Sequence, residues 1–410
     1  MLGATGSRGR IAWCISPVLS GVTTVYQVVG GEIRKLGWEV LGVASGGGAT
    51  EKTDPRFTDG HLEVLGPCGW DVCRAAAEFI AWVRERRIDL VFCAEQLFAL
   101  AAAPALPAHV KLVTRSGTVT RRSYELATAQ LGRTSKIIVE TPRQKHDLIK
   151  SWKVPPEKCA VIPGGVEVER FRSGSLRDYR APLRIVFLGR LDENQKAVMM
   201  LPQIFRRLTS AGVDSRWDII GEGPDGEALR HAFGQAKPLD RVRFHGLVPR
   251  MDLLPILQRA HLLVLPSRYE GHSWALLETM ACGCVPIVSR IAGGTDFVVD
   301  HDANGILCPV GSVASFAREI ARLSCDRARL ARLSTAASQT IRDRFSLDRA
   351  VRDHDVLFQS VMAEAPAACS PIQPSEIVVP RLSRTGWRQH VPQGMKNYVR
   401  NWAERFRWSV

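Results

Sequence analysis

Residues 261–309 read HLLVLPSRYEGHSWALLETMACGCVPIVSRIAGGTDFVVDHDANGILCP. Residues 262–265 are a continuous apolar run ended by Pro266, which suits a strand buried on both faces. A polar loop follows through Ser273, and then a helical stretch runs through Met280 and stops at Gly283. A second apolar run occupies 285–288. Strand, loop, helix and strand in this order make a parallel βαβ unit. The first N–H groups of its helix have no intrahelical acceptor and carry partial positive charge, which suits an anionic or hydroxyl-rich ligand. Glu270 lies just before that helix and Glu278 about a turn and a half inside it, so both address the same mouth of the sheet. Gly271 lets the backbone approach a ligand closely.

The same alternation extends outward on both sides. Towards the N-terminus of this segment, the stretches 184–188, 217–220 and 242–244 read as further strands with helices between them. An irregular basic stretch, 170–182, separates them from an earlier series. There, strands are expected at 10–16, 39–44, 90–94, 111–114 and 136–140, with helices at 22–36 and 72–86. Leu19-Ser20-Gly21 reads as the turn after the first strand and Gly46-Gly47-Gly48 as the close of the second. The pattern predicts an α/β protein of two doubly wound, Rossmann-like domains facing each other across a cleft, at 1–172 and 181–345. A helix at 346–365 is expected to cross back to the first domain, followed by a Pro-rich linker and a basic tail over 366–410.

A chain of 410 residues exceeds what one core usually organises, which agrees with two domains. With 45% apolar and 23% charged residues, the bulk of it is expected to fold. The net charge of +14 calls for an anionic partner such as a nucleotide, a phospholipid surface or an acidic acceptor. No aromatic-and-basic pattern marks a nucleic-acid surface, so none is expected as partner. Cys68 and Cys73, and Cys282 and Cys284, have no matching second pair or histidine cluster, so no metal site and no disulfide framework are expected. Reduced thiols place the chain in the cytoplasm. Arg8 and Arg10 precede only a short apolar run, unlike a signal peptide, and Pro104 and Pro107 interrupt the most apolar longer stretch. Met395, Tyr398, Val399, Trp402 and Phe406 fall at helical spacing, with Lys396, Arg400, Arg405 and Arg407 largely off that stripe. Such a helix either rests on an anionic membrane surface or packs on the N-terminal domain.

The 261–309 string closely resembles the C-terminal domain of the family 4 retaining glycosyltransferases, in its paired glutamates, its P-S-x-x-E-G element at 266–271 and the run MACGCVPIV at 280–288. The resemblance covers about residues 10–365 and implies the GT-B fold, a nucleotide-diphosphate sugar as donor, and no cofactor or metal. FLGR at 187–190 with Lys196 is similar to the family's diphosphate-binding pair; a strand end delivering Arg190 and a helix delivering Lys196 can neutralise a leaving diphosphate. By the same resemblance Glu278 addresses the ribose, Glu270 the transferred sugar, and Gly271, His272 and Ser273 line the donor site. Gly246 and Val248 lie in the loop whose backbone meets the base, and Gly21 in a turn facing donor phosphate and acceptor. The segment PGGVE at 163–167, with Phe171, resembles the one preceding the domain linker.

Three departures bear on what carries over. His272 and Ser273 replace the phenylalanine and glycine of many relatives, and Thr114-Arg115-Ser116-Gly117 stands where a histidine is common. Either Arg115 substitutes for that histidine or the acceptor differs, or, as the favoured reading, Arg115, Arg121 and Arg122 are a solvated basic face. Pro202 is expected to kink or delay the helix after Lys196. The expected activity is a retaining hexosyltransferase with a glycan or glycolipid acceptor, peripheral on the inner face of the membrane. A non-catalytic GT-B scaffold and a sugar-nucleotide epimerase or glycogen phosphorylase on the same fold are the alternatives.

Overall fold

The computed structural model describes residues 8–16, 25–45, 62–66, 71–171, 177–180, 182–236, 238–366, 372–373 and 376–380. The chain forms two compact units, one running to Gly164 and resuming at Leu347, the other spanning Gly165–Ser346.

The first unit is a seven-stranded parallel sheet made of β1 (Arg10–Cys14), β2 (Glu39–Ser45), β3 (Leu62–Leu65), β4 (Leu90–Cys93), β5 (Lys111–Ser116), β6 (Thr134–Val139) and β7 (Cys159–Val161), in the order β3-β2-β1-β4-β5-β6-β7. Its helices are α1 (Gly31–Lys35, preceded by one wide turn at Tyr26–Gly30), α2 (Val72–Glu85), α3 (Leu97–Ala102), α4 (Arg121–Thr128) and α5 (Pro142–Trp152). Central strands such as LVFC of β4 are buried along their whole length, which is why their sequences are unbroken apolar runs. The order reverses between β1 and β4, where Cys14 pairs with Cys93, and ligands of doubly wound sheets bind beyond such a reversal.

The second unit pairs β8 (Leu183–Leu188), β9 (Ser215–Ile220), β10 (Val242–Gly246), β11 (Leu262–Leu265), β12 (Val285–Ser289) and β13 (Ile306–Cys308) in the order β10-β9-β8-β11-β12-β13, all parallel. Its helices are α6 (Glu193–Lys196), α7 (Met200–Ser210), α8 (Gly226–Gly234), α9 (Arg250–Arg259), α10 (Trp274–Ala281), α11 (Val313–Cys325) and α12 (Arg327–Arg344). The reversal here lies between β8 and β11, with Leu263 opposite Val186. Leaving the second unit, the chain forms α13 (Leu347–Met362) in the first. His354 and Phe358 of this helix are buried against Trp13 and Phe92, with Phe92 and Phe358 rings 5.8 Å apart.

Several details differ from the sequence reading. Residues 165–171 belong to the second unit, because Val166 N–H donates to Phe345 O (2.9 Å) and Phe171 is fully buried in that core. Arg115 is not solvated. It lies in β5, 5% exposed, and its guanidinium meets the equally buried Glu140 at 2.6 Å, since a charge taken from water requires a counter-charge. Arg121 and Arg122 are exposed. Pro202 occupies the first turn of α7, where no intrahelical partner is needed for its missing N–H, and Ala197 at φ +50° separates α6 from α7. The strands β3, β7 and β13 were not anticipated. Among the described residues the cysteines are free thiols, no acidic, histidine or cysteine cluster could hold a metal, and no helix is long and apolar enough to cross a membrane. Gly21 and the 394–410 segment lie outside the described residues.

Candidate active site

The carboxyl ends of β8, β9 and β10 are laced together by backbone. Gly189 N–H donates to Ile220 O (3.0 Å) and Gly221 N–H to Gly246 O (2.8 Å). A Cβ on Gly221 would overlap the Gly189 carbonyl, and Gly221 also sits at φ +129°, so only glycine fits. This close approach fixes where the chain leaves β8. Asp192 then caps α6 by accepting from the N–H groups of Asn194 and Gln195, and that short helix carries Lys196 back over Gly189.

Across the sheet reversal, the loop after β11 delivers Glu270. Lys196 Nζ donates to Glu270 Oε1 at 2.6 Å, and Ser267 Oγ donates to the same oxygen at 2.6 Å. Both charged side chains are largely buried, 13% and 5% exposed. Glu270 Oε2 has no hydrogen-bond partner among the described residues. Glu278, on the buried face of α10, is arranged likewise. Its Oε1 accepts from Arg250 Nε at 2.8 Å, while Oε2 has no partner among the described residues. Burial pushes the Glu278 carboxyl up, against the pull of Arg250. Each glutamate is therefore anchored by one oxygen and presents the other.

The remaining expected residues are placed less uniformly. Arg190 is solvent-exposed, and its nearest carboxylate is Asp192 at 3.9 Å; it is not drawn into the Lys196–Glu270 cluster. Gly271, His272 and Ser273 are buried at the start of α10, with Ser273 at the helix N-cap position. The His272 ring packs against Phe297 and Phe345, with centroids 6.2 and 5.6 Å away. Gly246 adopts φ +68°, and Val248 is half-buried against the core.

Two arginines were missed. Arg268, within the P-S-x-x-E-G element, donates through its backbone N–H to Gln195 O (2.8 Å) and through its guanidinium to the Glu193 backbone and carboxylate, the latter at 2.5 Å. It ties the Glu270 loop to the helix carrying Lys196. Arg250, first residue of α9, lies between Glu278 and Glu167. A lone loop arginine has no periodicity to betray it; the available signal was a cation at a helix start, where carboxylates are favoured. In the first unit, Glu95 follows β4 in a left-handed conformation (φ +61°) and accepts from Gly117 N–H (3.0 Å) and Ser123 Oγ.

Two parallel sheets of this kind are shared with solved structures. A glycosyltransferase from Rickettsia africae superposes with a TM-score of 0.74 at 14% identity, over 87% of this chain and 99% of that one. Sucrose-phosphate synthase from Thermosynechococcus elongatus gives 0.72 at 19% identity, over 87% and 99%. HepE of Anabaena, in complex with UDP and glucose, gives 0.72 at 16%, over 86% and 100%. The protein has the two-domain α/β GT-B fold. Sequence models described as Glycosyltransferase Family 4 and Glycosyl transferases group 1 match residues 19–170 and 182–326, and the chain belongs to this family of glycosyltransferases. Relatives include the protein named colanic acid biosynthesis glycosyltransferase WcaL of Salmonella typhimurium, 30% identical over 52% of this chain and 54% of its own. The D-inositol 3-phosphate glycosyltransferase of Salinispora tropica is 30% identical, over 56% of this chain and 52% of its own length. The chain spans about half the length of these curated relatives.

Proposed function

We propose that this chain transfers a hexosyl group from a nucleoside-diphosphate sugar to an acceptor hydroxyl with retention of configuration. The observation that carries this reading is the Lys196–Glu270 pair at the β8/β11 reversal, with one Glu270 oxygen still open. The donor diphosphate replaces Glu270 as the partner of Lys196, which puts positive charge where the leaving group becomes more negative. Arg190, exposed beside Asp192, closes on the same diphosphate from outside. Glu270 then contacts hydroxyls of the transferred sugar, and Glu278 those of the ribose. The bond from the anomeric carbon to the diphosphate oxygen breaks, the bond to the acceptor oxygen forms on the same face, and the acceptor proton passes to the departing phosphate. Two cationic side chains supply the charge, so no metal is required.

HepE was crystallised with UDP-glucose, which makes uridine the first base to try. The surplus charge of +14 supports an acceptor at an anionic surface, such as an envelope glycolipid. The test is release of nucleoside diphosphate from a panel of UDP-, GDP- and ADP-sugars in EDTA, with an envelope lipid extract as acceptor source. Release from one donor, abolished in E270A, supports the reading. No release from any donor refutes it and favours a non-catalytic protein.

A further inference from the structure

We propose that Arg250 is a positioning residue for the nucleotide ribose, holding Glu278 in the orientation that accepts the ribose hydroxyls. The role presupposes a nucleotide-sugar donor. Arg250 is the first residue of α9, at the positive end of the helix dipole, where a cation is disfavoured. Helix physics gives no reason for it, and its contacts do. Its Nε donates to Glu278 Oε1 and its Nη1 to Glu167 Oε2, both at 2.8 Å. The guanidinium lies over the Phe171 ring, 5.1 Å from its centroid, and Phe171 is fully buried.

Arg170 Nη1 donates to the same Glu167 Oε2 at 3.2 Å and to Oε1 at 3.4 Å. The four side chains form a neutral chain of alternating charge from the 165–171 segment to the donor-facing helix α10. Without Arg250, a Glu278 side chain only 9% exposed would lose its counter-charge and its fixed orientation together. The planar fork also matters. One guanidinium can hold two carboxylates at set directions, whereas an ammonium on a flexible stem reaches one at a time. Because Arg250 occupies Oε1, Oε2 is the oxygen left to accept from the ribose. Arg250 therefore acts only on ligands that carry ribose hydroxyls, while phosphate binding at Lys196 is independent of it.

The experiment is calorimetric titration of the full chain and of R250M, R250K and E167Q with UDP, GDP and ADP, and with the 2′,3′-dideoxy form of whichever binds. A hydrogen bond to a charged group contributes about 1.5–3 kcal/mol, so wild type should prefer the ribonucleotide by roughly 10- to 150-fold. In R250M that preference should fall to within about threefold of unity, while dideoxynucleotide affinity stays within about threefold of wild type. R250K should lie between, and E167Q should move the same way by a smaller factor; these two carry the test should R250M not fold. An unchanged ribose preference in R250M overturns the role, and so does an equal loss for both nucleotides, which marks Arg250 as merely structural. A wild-type chain that binds no nucleoside diphosphate overturns instead the donor reading on which the role depends.

Discussion

Replacing Lys196 by methionine separates what the Lys196–Glu270 pair does for the fold from what it does for the donor. The pair is 2.6 Å long with side chains 13% and 5% exposed, so solvent screens it little. Removing one member of a buried pair leaves the other charge uncompensated, typically by about 3–5 kcal/mol. Ser267 still donates to Glu270 Oε1, which argues for the lower end, about 3 kcal/mol. For a unit of this size each kcal/mol lowers Tm by about 2–4 °C, so K196M should melt roughly 6–12 °C lower in the transition of the second unit. Neutralising the partner as well should undo most of that: K196M/E270Q should recover about 2 kcal/mol, because glutamine still accepts from Ser267 and no charge is left buried. Turnover should behave oppositely. K196M should lose about 10²–10³-fold, and the double variant should recover none of it. The assays are scanning calorimetry and release of nucleoside diphosphate on the four proteins of the cycle. A single variant less than about 1 kcal/mol destabilised, or a double variant no more stable than K196M, would falsify the claim that the pair is desolvated and coupled.

Two further outcomes follow from particular contacts. A Cβ on Gly294 would stand 2.8 Å from Glu270 O, so G294A should displace the Glu270 backbone and lower turnover at least tenfold with a smaller loss of stability; wild-type kinetics in G294A would show that the loop yields freely. His354 is held neutral by burial, its pKa lowered to about 4 from an ordinary 6.5. The unfolded chain therefore takes up a proton that the folded one refuses: this contribution is whole above pH 6.5 and is lost as pH falls towards 4, by about 3 kcal/mol in all. H354F, which keeps a ring among Trp13, Phe92 and Phe358, should flatten that acid limb in the first unit's melting transition. His261 has the same depression in the second unit, whose transition should keep its pH dependence in the variant. An unaltered slope in H354F counts against a buried neutral histidine.

Much of the sheet was legible because central parallel strands must be apolar on both faces, and the run at 262–265 coincides with β11. The strands that escaped notice, β3, β7 and β13, lie at sheet edges. Pairing on one side only, β3 is half-buried at most positions and has no unbroken apolar run to show. In the site, Glu270 and Lys196 were readable from motif spacing, and the structure brings them into contact. Arg190 was readable as a residue but not as a conformation: it is exposed beside Asp192 at 3.9 Å and stands apart from the Lys196–Glu270 cluster. Arg250 and Arg268 were invisible because their importance comes from partners far along the chain, Glu167 and Glu193. The buried Arg115–Glu140 pair was misread for a related reason: charge in a sequence signals solvent until the partner across the strand is known.

The passage of α13 back into the first unit also governs how this chain can be made. The part of the first unit that ends at Gly164 is synthesised before His354 and Phe358, which fill the space against Trp13 and Phe92. Its core stays open until the entire middle of the chain has been translated. The later-made unit, continuous from Gly165 to Ser346, can finish folding before the earlier one does.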